Sequence, residues 1–520
     1  MGHPHADAAT PARTTRGNAY SFLAKCGAAA ALVLAADWLF YGHTIGWTGG
    51  LFGLAALGAI VMTRPFTVRK IEGRVCLILA AGLCMALFND PSLYAISLLV
   101  AAVVSVSLAP ALAGRPNAGR WAAALASHAL SFWIRLVADI PALARSKRRH
   151  NSLRAGPRVN QWALPLFGST VFAGLFIAAN PVVDDALMDW LTQHSVSPFG
   201  FYRFVFWIAV LIVVWSVLRP RVALKLVPND ERATPSAVGQ RVLSASPVFT
   251  SLVLFNLLFA GQNALDVMFL WSGAALPDGM TYAQYAHRGA YPLIATTLLA
   301  GAFVLVALRP DGAGVRKPAI RWLVYVWILQ NVFLVCSSML RVVDYIDAYS
   351  LTLMRLASLV WMALIAVGLV LICVRIFRSK SGLWLINANG LACIAVLYVC
   401  AFPDFNAFVA NYNVRHSLDI GERGAPLDIV YLEKLGPSAI EALMWFENQE
   451  IIDWRQREAT EARARLTREL QRSLSDWRQW TYRRHRIWRK VETVEVPERL
   501  SMCTPKPYLS SALRIMESAP

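Results

Sequence analysis

The chain is poor in charge for its length. Only 16% of its 520 residues are charged and 57% are apolar, whereas about a quarter of the residues in an ordinary soluble protein carry a charge. Apolar blocks of about 18 residues or more recur along the first four-fifths of the chain, which excludes a soluble globular protein. An outer-membrane barrel would instead show alternating segments of about ten residues. The composition therefore predicts an all-α, polytopic helical membrane protein.

The sequence also lacks the usual motifs of nucleotide, metal and hydrolase chemistry. It contains no P-loop, no G-x-G-x-x-G between a strand and a helix, no H-E-x-x-H and no G-x-S-x-G. There is no C-x-x-C, and the two histidines of the N-terminal tail, His3 and His5, are too few to close a metal site. We therefore expect no cofactor, no metal ion and no coupling to nucleotide hydrolysis in this chain.

Eleven apolar runs are long enough to be predicted as membrane spans. They lie at about 22–42, 45–63, 75–88, 93–113, 162–180, 200–218, 248–271, 289–308, 322–340, 351–374 and 382–402. The stretch Trp121–Leu143 is apolar but contains His128, Arg135 and Asp139. We interpret it as an amphipathic helix that lies in the membrane interface rather than as a twelfth span.

This pattern divides the chain into four parts. They are a disordered N-terminal tail (1–21), a transmembrane helical domain (22–402), a helical C-terminal extramembrane region (403–496) and a flexible tail (497–520). Within the C-terminal region, residues 426–446 are predicted as two short helices broken at Gly436 and Pro437, because proline favours the first position of a helix. Residues 447–491 are predicted as one long charged helix.

Lysine and arginine are distributed unequally between the loops. The loops on the side of the N-terminus hold about 28 of them, and the opposite loops hold about two. The positive-inside rule therefore predicts a cytoplasmic N-terminus and, because the number of spans is odd, a periplasmic or extracellular C-terminal region. We interpret the basic run Lys147–His150 as part of this orientation signal. We expect membrane lipids, and no nucleic acid, as partners of the basic loops.

The stretch Arg341–Arg355, RVVDYIDAYSLTLMR, places charges between two apolar runs. A charge at the centre of a membrane helix costs about 2.5–3.5 kcal/mol on insertion scales, so such charges pair, face water or have a function. The predicted topology brings further polar residues to the same outer third of the bilayer. The candidate substrate-binding residues are Asp37, Asp266, Tyr285, Arg288, Arg341, Asp344, Tyr345, Asp347, Tyr349 and Arg355.

These residue types favour recognition of an anion. Arg288, Arg341 and Arg355 could hold a phosphate or a carboxylate, for which the planar guanidinium is suited. The aspartates could orient the arginines, or one of them could act as a general base, and the tyrosines would flank the site. The alternative is that the charges form interhelical pairs that fix the packing, with the tyrosines as interfacial anchors.

Several polar motifs resemble those of a family of bacterial polytopic membrane proteins that is classified only as a domain of unknown function. The shared motifs are ADWLFYGHTIGW (36–47), PDGMTYAQYAHRGAYPLIA (277–295), the stretch 345–355, NYNVRH (411–416), PLDIVYLEKLGPSAI (426–440) and DWRQWTYRR (476–484). Where the family pattern has Gly-Leu-Thr-Arg-Leu-Arg, this chain has Ser-Leu-Thr-Leu-Met-Arg at 350–355. The resemblance implies a membrane protein of the bacterial cell envelope and no established activity.

Three functions are compatible with this sequence. The leading hypothesis is an inner-membrane protein whose outward-facing polar site binds or moves an anionic, lipid-linked molecule of the cell envelope. The second is a membrane-embedded transferase that modifies a lipid-linked envelope glycan, with Asp266, Asp344 or Asp347 as base. The third is a sensor or assembly subunit, in which the charges are structural and the C-terminal region docks a protein partner.

Overall fold

The apolar runs of the sequence form helices. The computed structural model describes residues 12–114, 117–147, 198–220, 245–272, 317–421, 424–449 and 452–492, and the single positions 169, 176 and 180. Over these residues the α-helices are α1 (Ala12–Phe40), α2 (Thr48–Thr63), α3 (Ile71–Asn89), α4 (Leu93–Leu112), α5 (Ala118–Lys147), α6 (Pro198–Leu218), α7 (Ala245–Asp266), α8 (Pro318–Tyr349), α9 (Leu353–Phe377), α10 (Gly382–Val399), α11 (Phe405–Arg415), α12 (Ile429–Lys434), α13 (Ile440–Glu447), α14 (Asp453–Ser475) and α15 (Tyr482–Glu492).

Eight of these helices are long and apolar enough to cross a membrane. They are α1 from Phe22 onward, α3, α4, α6 from Gly200 onward, α7 with the turn that follows it, α8, α9 and α10. They coincide with eight of the eleven predicted runs and confirm a polytopic helical membrane protein. The predicted run 45–63 corresponds to α2, which has only 16 residues. The runs 162–180 and 289–308 lie outside the described residues, apart from three single positions.

Helix α1 begins earlier than the sequence indicated. It starts at Ala12, within the segment that was predicted as a disordered tail. Pro11 stands immediately before this start and residues 12–21 contain no proline, and proline is compatible with the first turn of a helix but not with its interior.

Small residues allow α2 and α3 to approach closely. A Cβ atom on Gly50 would lie 2.6 Å from the carbonyl oxygen of Cys84, and one on Gly53 would lie 2.8 Å from the Cys84 sulfur. Cys84 is fully buried at this contact. Glycine at such positions is typical of membrane helices, which associate by close packing because lipid offers no hydrophobic driving force between them.

The chain divides into two compact units. One contains residues 1–346 and 354–403, and the other contains residues 347–353 and 404–520. The second unit has an apolar core of its own, in which Leu432, Ile440, Leu443 and Phe446 are completely buried. Residues 347–353, which include the end of α8 and the loop 350–352, were predicted within the membrane domain but belong to the C-terminal unit.

The prediction of one long charged helix over 447–491 is wrong. Two helices, α14 and α15, occupy this stretch, and the backbone is extended at Asp476. The side chain of Asp476 accepts a hydrogen bond from the amide of Arg478 (3.0 Å), and the hydroxyl of Thr481 accepts one from the amide of Arg484 (3.2 Å). Both side chains replace backbone hydrogen bonds in this way, so they end one helix and begin the next.

Asn413 of α11 fixes the loop 350–352, which joins α8 to α9. Its side-chain oxygen accepts from the Leu351 amide (2.7 Å) and its side-chain nitrogen donates to the Leu351 carbonyl (2.8 Å). The Leu353 amide donates to the hydroxyl of Tyr431 (3.0 Å). Ser350 takes a left-handed conformation with φ of 67°, and this is the position where the resembling family has glycine, the residue that adopts it without strain.

We expect Asn413→Ala to destabilise the C-terminal unit, because it leaves two buried backbone groups without partners. Each such group costs about 1–3 kcal/mol, so the melting temperature of the detergent-purified full chain should fall by several degrees. Asn411→Ala is the matched control, since the Asn411 amide donates to the Ala407 carbonyl within its own helix. Equal melting temperatures for the two variants would contradict the role of Asn413.

Candidate functional site

The candidate site is built on α7 and α8, which are joined by a buried ion pair. The guanidinium of Arg341 on α8 donates to Oδ1 of Asp266, the last residue of α7. The side chains of Arg341 and Asp266 are only 7% and 1% exposed. Either charge alone would carry a penalty of several kcal/mol in this environment, so each one makes the other tolerable.

Further polar contacts run along the same two helices. Gln262 donates to Asp266 Oδ1 (3.1 Å) from one turn earlier in α7. Asn263 donates to the Gln330 carbonyl (3.3 Å), and the Gln330 amide donates to the side-chain oxygen of Asn256 (2.8 Å). Because the contacts between the helices join residues 67 to 75 positions apart throughout, α7 and α8 run parallel. We call this set the polar seam; its members are Asn256, Gln262, Asn263, Asp266, Gln330, Asn331 and Arg341.

Four oxygen atoms of the polar seam receive no hydrogen bond from any described residue. They are Oδ1 of Asn263, Oδ2 of Asp266, Oε1 of Gln330 and Oδ1 of Asn331. A buried acceptor without a donor costs about 1–3 kcal/mol, and in a native protein it calls for a partner. All four atoms are acceptors, so the seam is suited to a group rich in O–H or N–H donors.

The helix changes its geometry at Asp266. The next five residues, Val267–Trp271, form a π-helical turn. The indole nitrogen of Trp271 donates to the hydroxyl of Ser337 on α8 (3.1 Å), which fixes the turn against the neighbouring helix. Single π-helical turns within α-helices occur frequently at functional sites. Asp266 therefore lies at a distortion of α7 as well as in an ion pair.

Two of the predicted residues meet at the end of α8. The guanidinium of Arg355, near the start of α9, lies over the ring of Tyr345, 4.1 Å from its centre. This is a cation–π contact, which is stronger when it is shielded from water. Asp344 is half-buried next to Tyr345 in the sequence. The structure thus brings together Arg355 and Tyr345, two residues of the candidate set.

Two other predicted residues, Asp347 and Tyr349, lie at the C-terminal end of α8. Asp347 belongs to the C-terminal unit. It accepts a hydrogen bond from the hydroxyl of Tyr412 (3.3 Å), whose ring stacks on His416. Burial, and then the Asp347 carboxylate, raise the pKa of Tyr412, which keeps its hydroxyl protonated as a donor. Tyr349 is exposed.

Asp37 lies in a different contact, with a partner that the sequence analysis missed. Arg203 at the start of α6 donates twice to the Asp37 carboxylate (2.8 and 2.5 Å), and the indole of Trp207 donates to it as well (2.8 Å). The Arg203 guanidinium also faces the rings of Tyr41 and Trp207. The available signal was the Arg203 charge itself, which stands between aromatic residues at the beginning of an apolar run.

The polar side chains of α5 are buried against α6. His128 accepts at Nδ1 from Arg135 (2.8 Å), and because arginine only donates, the imidazole is neutral with its proton on Nε2. Nε2 lies 3.3 Å from the hydroxyl of Ser216 on α6, which itself donates to the Val213 carbonyl (2.7 Å). Burial, and then the Arg135 charge, lower the pKa of His128 to about 4.

Asp139 of α5 completes this contact. Its carboxylate pairs with Arg219, which directly follows α6 (3.2 Å). It also accepts a hydrogen bond from the indole of Trp215, near the end of α6 (3.1 Å). Leu130, in contrast, is exposed. Helix α5 thus turns polar side chains toward protein and an apolar one outward, and it is not among the eight helices with the length and hydropathy of a span. Its placement in the membrane interface stays a prediction.

The candidate substrate-binding residues therefore do not form a single cluster in the described part of the chain. Asp266 pairs with Arg341 and Arg355 contacts Tyr345, whereas Asp37 pairs with Arg203. Arg288 and Tyr285 lie outside the described residues. Within the part of the chain that the structure describes, no group of three or more His, Cys, Asp or Glu side chains could hold a metal ion.

Comparison with known proteins identifies a family. The family model described as Domain of unknown function (DUF4153) matches residues 75–444. The match includes the polar seam and Arg355, and it begins after Asp37. Neither the curated proteins nor the solved structures contain a match to the chain.

We expect removal of one partner of the buried pair to be more harmful than removal of both. Arg341→Met leaves the Asp266 carboxylate buried and unpaired, which costs about 3–5 kcal/mol. Asp266→Leu/Arg341→Met replaces the pair by apolar groups and should restore the melting temperature and the folded yield to near those of the wild type. A double variant that is less stable than Arg341→Met would contradict this account of the pair.

We expect acid to destabilise the α5–α6 contact through His128. The pKa of His128 is about 4 in the folded protein, against an ordinary value of 6.5 for histidine. The contribution of neutral His128 to the free energy of unfolding is therefore fully present above pH 6.5 and is lost as the pH falls toward 4. The loss between pH 7 and pH 5 is about 2 kcal/mol. His128→Gln keeps an acceptor and a donor but does not titrate, so its melting temperature should fall less over this range. An equal fall in the two proteins would show that His128 does not carry the effect.

Proposed function

The chain belongs to the family described as a domain of unknown function (DUF4153), and on that premise we propose that it binds or moves an anionic, lipid-linked molecule of the cell envelope. The polar seam between α7 and α8 is the proposed binding site for the head group. Arg288, Arg341 and Arg355 are the proposed anion contacts. The site opens, in this proposal, toward the outer face of a bacterial inner membrane, with a cytoplasmic N-terminus and a periplasmic or extracellular C-terminal region.

The observation that carries the proposal is the polar seam itself. Two helices with the length and hydropathy of membrane spans share a buried ion pair and a row of amide side chains. Intramembrane ionisable groups that face the protein interior commonly mark the path or binding site of a substrate. Apolar side chains would pack the same two helices with less penalty, so the polar residues are best explained by a polar ligand.

The chemistry of the seam indicates what kind of ligand it would accept. Four of its oxygen atoms, on Asn263, Asp266, Gln330 and Asn331, receive no hydrogen bond from the residues that the structure describes, and they are suited to hydroxyl groups. A guanidinium is suited to a phosphate or carboxylate. A sugar joined to a lipid through a phosphate offers both kinds of group, and its acyl or prenyl chain would remain in the bilayer. This combination supports a lipid-linked glycan over a free anion.

A second function is favoured by the way the charges pair. Asp266 with Arg341 and Asp37 with Arg203 each link two helices, as expected if the charges only fix the helix packing. The protein would then act as a sensor or assembly subunit, and a protein partner would bind the C-terminal region. In that case removal of the polar seam would change stability but no bound molecule.

Native mass spectrometry of the full chain, extracted from its own membrane, tests the proposal. We expect the wild type to carry a stoichiometric anionic lipid or lipid-linked sugar, and Asp266→Leu/Arg341→Met to retain about a tenth of it or less. Asp37→Leu/Arg203→Met is the matched control, because it removes an ion pair from a different pair of helices, and it should keep the adduct.

The folded yield of each protein is measured beside its mass spectrum. An adduct that persists on the folded Asp266→Leu/Arg341→Met variant would contradict binding at the polar seam. A wild-type spectrum without a specific adduct would contradict the proposed function and favour the structural role of the charges.

A further inference from the structure

A second polar feature lies beside α1, near Phe22, where the candidate membrane span of this helix begins. A cavity of about 990 Å³ is lined by Lys25 of α1, by Arg64 directly after α2, by Arg69 and Lys70 in the turn before α3, and by Pro110 of α4. Lys25 and Asp37 are twelve residues apart, which corresponds to about 18 Å along a helix. The cavity is therefore remote from the Asp37 contact, and its charged residues precede the part of the chain that the family model matches.

The cavity is strongly basic. Lys25, Arg64, Arg69 and Lys70 all line it, and none of these four residues forms an ion pair with a carboxylate anywhere in the described ranges. Asp139 acts electrostatically on Lys25, but its carboxylate is bonded to Arg219 and Trp215. Glu72 acts electrostatically on Lys70, but it forms no ion pair with it within the described residues. Four cations around one cavity repel one another, so a bound anion would relieve the repulsion that remains between them.

Some of these cations are held in place. The Arg64 guanidinium donates to the Ser107 carbonyl of α4 (2.7 Å). The Arg69 guanidinium lies over the ring of Phe66, 4.9 Å from its centre. Side chains that are already positioned lose less conformational entropy on binding, which favours a specific site over a diffuse charged surface.

Apolar side chains border the charged cavity. Met62 and Phe66 line it and are 84% and 63% exposed. They lie at the end of α2 and directly after it, a few residues before the candidate membrane span that begins at Ile71. Cations beside exposed apolar groups at this level are complementary to a phosphate head group with its acyl chains, and basic pockets between membrane helices bind such head groups.

We propose that this cavity binds the phosphate of an anionic membrane phospholipid. The ligand class follows from the four cations together with the exposed Met62 and Phe66, since a free phosphate would use the first and not the second. The site is separate from the polar seam of α7 and α8, and it neither requires nor supports the function proposed for that seam.

The test titrates delipidated wild-type protein with dioctanoyl phosphatidylglycerol and with dioctanoyl phosphatidylcholine and counts bound lipid by native mass spectrometry. The anionic lipid should bind as one specific molecule and the zwitterionic lipid should not. Arg69→Gln/Lys70→Gln should weaken binding of the anionic lipid roughly tenfold to thirtyfold. Both side chains are exposed, so the variant should fold normally, and its melting temperature verifies this.

Two control variants of the same chain show whether the loss of lipid is specific to this cavity. Arg378→Gln/Lys380→Gln removes one arginine and one lysine from exposed positions after α9 and should bind as the wild type does. Asp266→Leu/Arg341→Met should also bind as the wild type does, since it alters only the polar seam. If Arg69→Gln/Lys70→Gln and Arg378→Gln/Lys380→Gln lost phosphatidylglycerol binding equally, binding would depend on general surface charge, and the proposal would be overturned. Loss of the lipid in Asp266→Leu/Arg341→Met would assign the lipid to the seam and would overturn it too.

Inorganic phosphate distinguishes the two sources of the same chemical group. At millimolar concentration it should displace little of the phosphatidylglycerol, because it lacks the contacts of the acyl chains with the apolar border. Complete displacement would identify a free phosphate as the ligand and would contradict a lipid site.

Discussion

The fold of the unit that contains residues 1–346 and 354–403 depends on one constraint. A charge within a membrane-crossing helix must have a partner. Asp266 and Arg341 satisfy this condition for each other, and they do so across the contact between α7 and α8. Their bond requires the two helices to lie side by side, parallel and in one register. The amide contacts of Asn256, Asn263 and Gln330 keep the same register. Packing of leucines alone would allow the helices to slide, whereas the ion pair specifies one arrangement.

The same arrangement recurs elsewhere in the described part of the chain. Asp37 of α1 bonds Arg203 of α6, and Asp139 of α5 bonds Arg219 just after α6. In each case a carboxylate and an arginine belong to different segments, so the bond fixes a tertiary contact. The pair of α7 and α8 differs from these in its setting, because it adjoins a π-helical turn and a row of amide oxygens that accept no hydrogen bond from any described residue. That setting, rather than the pairing, is the reason to connect it with a ligand.

The sequence predicted the helices better than their contacts. Apolar runs are local, so eight spans could be located from hydropathy alone. Asp266 and Arg341 could be chosen as candidates because a charge inside an apolar run is visible in the sequence, but their bond depends on which helices are neighbours. Arg203 was missed for the same reason, since hydropathy does not show that α6 lies beside α1. The break before α15 was missed because it depends on hydrogen bonds from single side chains, such as that of Thr481.

Cryo-electron microscopy of the protein, carried from its own membrane into lipid nanodiscs, would show directly whether a molecule is bound at the polar seam. We expect density from a bound molecule within hydrogen-bond distance of Asp266 Oδ2 and the side-chain oxygens of Asn263 and Asn331, continuous with a hydrocarbon chain. Density showing those oxygens bonded only to side chains of the protein would contradict a binding site there. It would make the polar seam a structural contact like that of Asp37 with Arg203.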